Sequence, residues 1–188
     1  MPHGFGQGIT IPLLKDKSGH LSDLSNYRAI TVSPAISKLF EIVILNVCQE
    51  YLTSDDLQFG FKPGIGCAEA IYTLRTTVDY FNAGGSTVFA ASLDISKAYD
   101  KINNFRLFSV LIKAGLPKWL IDILLCWYEK LVVRVRWNGS YSYEYEFYVK
   151  SGVRQGSSLS PSLFNVFVNK FLVDVKQLKV ICNGFSQN

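Results

Sequence analysis

Two carboxylates close together after an apolar run are the residues in this chain best placed to do chemistry. Thr87-Val88-Phe89-Ala90-Ala91-Ser92 is rich in β-formers and reads as a buried strand. Asp94 would stand at its end, in Leu93-Asp94-Ile95-Ser96-Lys97-Ala98-Tyr99-Asp100. Charge at the end of a buried strand is costly unless compensated, and a divalent metal is the commonest compensator. The plain alternative is an aspartate capping the next turn. Further along lies Ser151-Gly152-Val153-Arg154-Gln155-Gly156-Ser157-Ser158-Leu159-Ser160-Pro161, with a helix to follow. Gly152 and Gly156 allow close approach of backbone to a ligand. Gln155 carries a donor and an acceptor on one amide, which suits a base or sugar edge. A simple glycine-rich turn before a capped helix explains the glycines but not Gln155.

In this order, the two segments resemble motifs A and B of a reverse transcriptase palm. Ile11-Pro12-Leu13-Leu14-Lys15-Asp16 and Asn26-Tyr27-Arg28-Ala29-Ile30 resemble the fingers segments that hold the incoming nucleotide, and Gln58-Phe59-Gly60-Phe61-Lys62-Pro63-Gly64 resembles the next fingers motif. Arg154 before Gln155 is similar to non-LTR (LINE-type) retrotransposon enzymes; group II intron and retron relatives more often have Pro there. The resemblance covers roughly residues 6 to 176.

The resemblance implies an RNA-directed DNA polymerase as the parent activity, with an RNA template, a DNA primer and deoxynucleoside triphosphates as partners. It implies magnesium, or manganese in its place, in a two-metal centre with ions about 4 Å apart. Asp94 matches the first metal ligand, and the carbonyl of Ile95 is a natural extra oxygen. Tyr99 matches the aromatic position under the incoming sugar, where it would crowd a ribose 2′-hydroxyl; taken alone it reads as a core aromatic. Gln155 and Gly156 would meet the nascent base pair. Lys15 and Arg28 match residues that grip the triphosphate, a task suited to a point charge and a planar fork; as isolated residues they read as surface charges. Asp100 matches a position that is not one of the three metal-binding carboxylates and reads as structural or as a support behind the metal ligands; the role of Lys97 stays open.

The second carboxylate motif of the family, an aromatic-x-Asp-Asp hairpin called motif C, has no match. No acidic residue follows Asp174, and Asp55-Asp56 sits in a polar loop after Thr53-Ser54. The expected fold class is therefore α+β: right-hand polymerase fingers (residues 1–85) plus an incomplete, ferredoxin-like (RRM-like) palm sheet (residues 86–188), without a thumb. The expected function is that of a reverse transcriptase fragment truncated before motif C and inactive by itself. The alternative is a non-catalytic relic, or a fragment repurposed for nucleic-acid binding or scaffolding.

Composition allows this. The chain has 188 residues, 48% of them hydrophobic, and a net charge of +4. That is enough for a packed body with a weakly basic surface. Cys48, Cys67, Cys126 and Cys182 are widely spaced, and with only His3 and His20 no zinc set of usual spacing can be drawn. Free thiols and an intracellular location, nuclear or cytoplasmic, are the expectation. No signal peptide or membrane span is legible, and nothing points to a membrane or a specific protein partner.

Periodicity predicts strands at 9–15, 27–32 and 87–93. Helices are predicted after Ser33-Pro34, with Ile36, Leu39, Phe40, Val43, Ile44 and Val47 as the apolar stripe, and over 67–81, with Cys67, Ile71, Leu74, Val78 and Phe81 inward. Further helices are predicted at 104–114, at 117–130 and after Ser160, the last with Phe164, Val168, Phe171, Leu172 and Val175 inward. Residues 131–137 and 142–149 read as a hairpin. A two-residue turn at Asn138-Gly139 mixes its faces. A three-residue loop pairs Val133 with Phe147, Val135 with Tyr145, Trp137 with Tyr143, Arg134 with Glu146 and Arg136 with Glu144, and segregates them.

Overall fold

The computed structural model describes residues 2–142 and 145–177. The chain is a mixed α/β fold, with one small sheet and five α-helices. The sheet is built on β1 (Gln7–Leu14) and β2 (Tyr27–Val32), an antiparallel pair in which Leu13 faces Arg28 and Ile11 faces Ile30. β3 (Val132–Trp137) joins the other edge of β1 in parallel. Four helices lie between β1 and β3 in sequence: α1 (Ala35–Val47), α2 (Cys67–Ala83), α3 (Asn104–Lys113) and α4 (Lys118–Glu129). A long crossover of this kind is what parallel neighbours require. α5 (Ser160–Gln177) follows motif B and packs against α3.

The hairpin after α4 combines both turn geometries. β4 (Ser140–Tyr141) pairs Trp137 with Ser140 and Arg136 with Tyr141 across a two-residue turn. Asn138 and Gly139 both have positive φ, +46° and +80°, as the hairpin turn that matches strand twist demands. β5 (Phe147–Tyr148) then pairs Phe147 with Val133. From Trp137–Ser140 to Val133–Phe147 β3 steps back four residues and the returning chain advances seven, so the register shifts by three. Ser142 fills the step: its N–H donates to the Val135 carbonyl (2.9 Å), and its Oγ accepts from the Val135 N–H (2.9 Å). The expected Val133–Phe147 pair is present, and Arg134 Nε donates to Glu146 at 2.9 Å. The expected three-residue loop is not; Arg136 lies over the Tyr141 ring instead, at 5.4 Å. Tyr143 and Glu144, the expected partners of Trp137 and Arg136, lie outside the described residues. Local turn chemistry fixed the tip and face segregation fixed the base, in two registers three residues apart.

The core is mainly helical. Leu107, Phe108 and Leu111 of α3 and Leu120, Ile121, Leu124 and Trp127 of α4 meet Val153, Leu159, Leu163 and Val166, with Ile44 and Cys48 closing one side. Three expected faces are corrected. On α1 the buried line is Ser37, Glu41, Ile44 and Cys48, while Ile36, Leu39, Val43 and Val47 are exposed. On α2 no residue is buried, and Ile71 is 66% exposed. On α5 Leu163 and Val166 point inward, whereas Phe171 and Val175 are half exposed. Periodicity finds an apolar stripe but cannot say whether a neighbour covers it.

The expected central strand is the largest correction. Residues 86–95 adopt no regular structure, and Phe89 is 92% exposed. A strand exists through its ladder, and no described segment offers these backbone groups one. The centre of the sheet is β1 and β3. Cys48, Cys67 and Cys126 are free thiols, as expected. Among the described residues no helix is long and apolar enough to cross a membrane.

The β1–β2 connection is held by side-chain caps. Asp16 accepts from the Ser18 hydroxyl and N–H, and Asp23 from those of Ser25. These serine bonds hold both carboxyls below the ordinary carboxylate range. A depressed pKa contributes stability that is present above the unfolded value and is lost as pH falls through the folded one. Acidification from pH 5 to pH 3 should therefore loosen this turn before the core. Reduced protection of the Ser18 and Ser25 amides relative to their intrinsic exchange rate at each pH, with α3 and α4 still protected, is the expected reading; simultaneous loss everywhere would contradict it.

Candidate functional site

The glycine-rich segment 151–159 is threaded between two other parts of the chain. On one side it is hydrogen-bonded to the turn that follows Asp94: Gly152 N–H donates to the Ile102 carbonyl (2.7 Å) and Val153 N–H to that of Tyr99 (3.0 Å). On the other it meets β2, where Thr31 N–H donates to the Gln155 carbonyl (2.7 Å) and Ile30 and Gln155 form an isolated parallel bridge. The two glycines make this possible. Gly152 has φ +86° and Gly156 φ +106°, and a Cβ would lie 2.7 Å from the Tyr99 carbonyl oxygen at the first and 2.7 Å from that of Thr31 at the second. No L side chain meets both demands without a shift in the backbone.

This threading borders an open, shallow cavity of about 520 Å³, lined by Phe61, Tyr99, Gln155, Gly156, Ser158 and Pro161 among others. Its size is that of a small-ligand site. The Tyr99 ring rests 4.9 Å from Phe164 and 6.2 Å from Phe61. Its hydroxyl is buried without a partner, and burial pushes its pKa up. Gln155 Nε2 donates to Asp100 Oδ1 at 3.2 Å, which orients the amide.

The expected site residues are only partly brought together. Tyr99, Gln155 and Gly156 share the cavity. Asp94, Ile95, Lys15 and Arg28 are not among its lining residues, and all four are exposed. Arg28 is on the same face of β2 as Ile30, two residues or about 6.8 Å along the strand from the bridge to Gln155. Lys15 Nζ donates to the Ser25 carbonyl at 2.7 Å. Lys97 and Lys15 each lower the Asp23 carboxyl pKa, by less than the serine bonds do, so the turn after Asp94 lies within electrostatic reach of the β1–β2 connection.

A profile of the family described as reverse transcriptase (RNA-dependent DNA polymerase) matches residues 14–185. The chain belongs to the reverse transcriptase family. It is 28% identical over 147 residues to the Retrovirus-related Pol polyprotein from type-2 retrotransposable element R2DM of Drosophila melanogaster, covering 78% of this chain and 14% of that protein. It is 30% identical over 148 residues to the probable RNA-directed DNA polymerase from transposon BS of the same organism, covering 76% of this chain and 16% of that one. A third relative, the Pol polyprotein from type-1 retrotransposable element R2 of Popillia japonica, is 24% identical over 160 residues, 85% of this chain and 22% of its own length. The chain thus spans less than a quarter of the length of each of these relatives. The non-LTR resemblance carried by Arg154-Gln155 agrees with these retrotransposon relatives.

Reverse transcriptases work with divalent metals, so the donors present must be compared with that need. Among the described residues no group of three or more His, Cys, Asp or Glu side chains could hold an ion. Asp94 is a lone exposed carboxylate, and Asp100 is engaged with Gln155. This donor set does not fit a two-metal centre.

Two features of this chain carried no role in the sequence reading. Phe61 carries φ +56°, rare for a bulky residue, and is 62% exposed at the cavity. Its loop is fastened to α5: Asn165 Nδ2 donates to the Gly60 carbonyl (2.9 Å), and Asp55 N–H donates to Asn169 Oδ1 (2.7 Å). Nothing local in Gln58-Phe59-Gly60-Phe61 announces that strain. The other feature is Glu41, wholly buried, with Arg154 as its partner. Its only sequence signal is a carboxylate inside an apolar helix pattern. A second cavity, of about 310 Å³, is lined from β1, β3 and the β2–α1 junction by both apolar and polar side chains, and its arginine, Arg134, is committed to Glu146.

Proposed function

We propose that this chain is the nucleotide-receiving part of an RNA-directed DNA polymerase, with residues 1–85 as its fingers and 86–188 as part of its palm. The observation that carries the reading is the threading of motif B between the motif A turn and β2. It sets Tyr99, Gln155 and Gly156 around one cavity although they come from separate motifs. In this reading Tyr99 forms the floor under the incoming sugar and selects against a 2′-hydroxyl. The Gln155 amide, oriented by Asp100, meets the nascent pair. The bare backbone at Gly156 leaves room for the nucleotide. Arg28, on the face of β2 that leads to the cavity, and Lys15 supply positive charge for the triphosphate; Asp94 supplies one carboxylate with the Ile95 carbonyl beside it. RNA template, DNA primer and deoxynucleoside triphosphates are the partners, and magnesium or manganese is the cofactor of the complete enzyme.

The 188-residue chain by itself is not expected to polymerise, because one exposed carboxylate cannot hold two metals and magnesium parts reluctantly with its water. It is also expected to aggregate readily, since α2 and residues 86–95 expose large apolar side chains. Primer extension on an RNA template, with magnesium and then manganese, tests both halves of the proposal. The complete reading frame carrying this chain should extend the primer and lose that activity with Asp94→Asn; the chain alone should not extend it. Extension by the purified chain that disappears with Asp94→Asn would overturn the second half. Failure of the complete protein to extend any primer would favour a non-catalytic role.

A further inference from the structure

Glu41 lies in the middle of α1 with none of its surface exposed, and both of its oxygens are used. Oε1 accepts from Arg154 Nη2 at 3.2 Å, and Oε2 accepts from the Ser158 N–H at 2.6 Å. Residues 155–157 are all that lies between these two anchors, and they form a wall of the cavity. The segment is also held from outside, through the Thr31 N–H on the Gln155 carbonyl. We infer that Glu41 is a positioning residue: its single carboxylate grips both shoulders of segment 155–157 and so fixes where Gln155 and Gly156 face the cavity. The inference rests on the reading of that cavity as the nucleotide site.

Stability alone is a poor account of this pair. Arg154 is buried over the Trp127 ring, 5.1 Å from its centre, and its Nη1 has no hydrogen-bond partner. A buried ion pair with an unsatisfied donor gives no more stability than apolar side chains of similar volume, and often less. What apolar side chains cannot do is hold two points of a loop at fixed positions. A carboxylate on a rigid helix, with bonds to a side chain on one shoulder and a backbone amide on the other, does that.

The double variant Glu41→Leu/Arg154→Met separates the two accounts, since it removes both anchors without leaving a buried charge. It should fold and melt within a few degrees of the parent. Single Glu41→Gln leaves the Arg154 charge without its carboxylate partner and is the variant at risk of misfolding. In the complete reading frame, with an RNA template, a DNA primer and deoxynucleoside triphosphates, the double variant should raise KM for the incoming nucleotide about ten-fold or more, the scale of losing a charge-assisted hydrogen bond, with kcat changed less. A well-folded double variant with KM within about two-fold of the parent would overturn the inference. Should the parent protein incorporate no nucleotide, the polymerase reading fails, and amide exchange on that same complete protein decides the positioning claim. The reporter is the Thr31 amide, which bonds Gln155 and does not touch Glu41. About ten-fold faster exchange there, with α3 and α4 unchanged, supports positioning; unchanged Thr31 exchange overturns it.

Discussion

Alanine at Gly156 destabilises the fold by roughly 2–5 kcal/mol, combining backbone strain with overpacking. The same is expected at Gly152. Both positions need a backbone conformation that L residues avoid, and at both a Cβ would press on a carbonyl oxygen at 2.7 Å. Those oxygens belong to Tyr99 and Thr31, which themselves accept from or flank the hydrogen bonds that hold segment 151–159 in place. Neither can retreat without breaking the threading. Gly115 is the control: its φ of +84° is similar, but nothing lies within 4 Å of a Cβ there. Gly115→Ala should cost only about 1–2 kcal/mol of conformational strain. Thermal melts decide the matter, with a chain of this size losing about 2–4 °C per kcal/mol. Equal shifts for Gly115→Ala and Gly156→Ala would show that crowding contributes nothing. In the complete protein both motif B variants should also lose nucleotide incorporation, because Gln155 moves with the loop.

Trp127→Ala should cost about 3–5 kcal/mol, a large share of the stability of any domain. Trp127 is 2% exposed and among the largest side chains fully buried in the core. It also does two polar tasks. Its Nε1–H donates to the Phe5 carbonyl at 2.8 Å, tying the N-terminal segment to α4, and its ring carries the Arg154 guanidinium. Trp127→Phe keeps most of the volume and loses the hydrogen bond, and should cost about 1–3 kcal/mol. Trp119, on the same helix and 53% exposed, should tolerate alanine within about 0.5 kcal/mol. Denaturant titration orders the three variants; a Trp127→Ala midpoint near that of Trp119→Ala would refute the assignment of the core.

The sequence by itself determined the family, the order of the motifs and most of the helices. β2 falls on the predicted residues, and α1 to α5 begin within two residues of prediction. These features are written in short-range signals: helical periodicity, caps, glycines, and a glutamine that a bare turn does not need. It also determined the Arg134–Glu146 pair, because pairing at period two is itself local to a hairpin.

Only the tertiary structure decided what covers what. The stripes on α1 and α2 are real in sequence, yet the α1 stripe is largely exposed and no residue of α2 is buried. Glu41, not its apolar neighbours, is wholly buried because Arg154 and Ser158, more than a hundred residues away, satisfy it. The run 86–95 has the composition of a strand and lacks a ladder, since propensity cannot supply a neighbour. The cavity itself is of this kind. Tyr99, Gln155 and Phe61 meet because hydrogen bonds from three distant segments converge on one loop. A sequence lists such groups, but only the path of the folded backbone brings them within reach of one another.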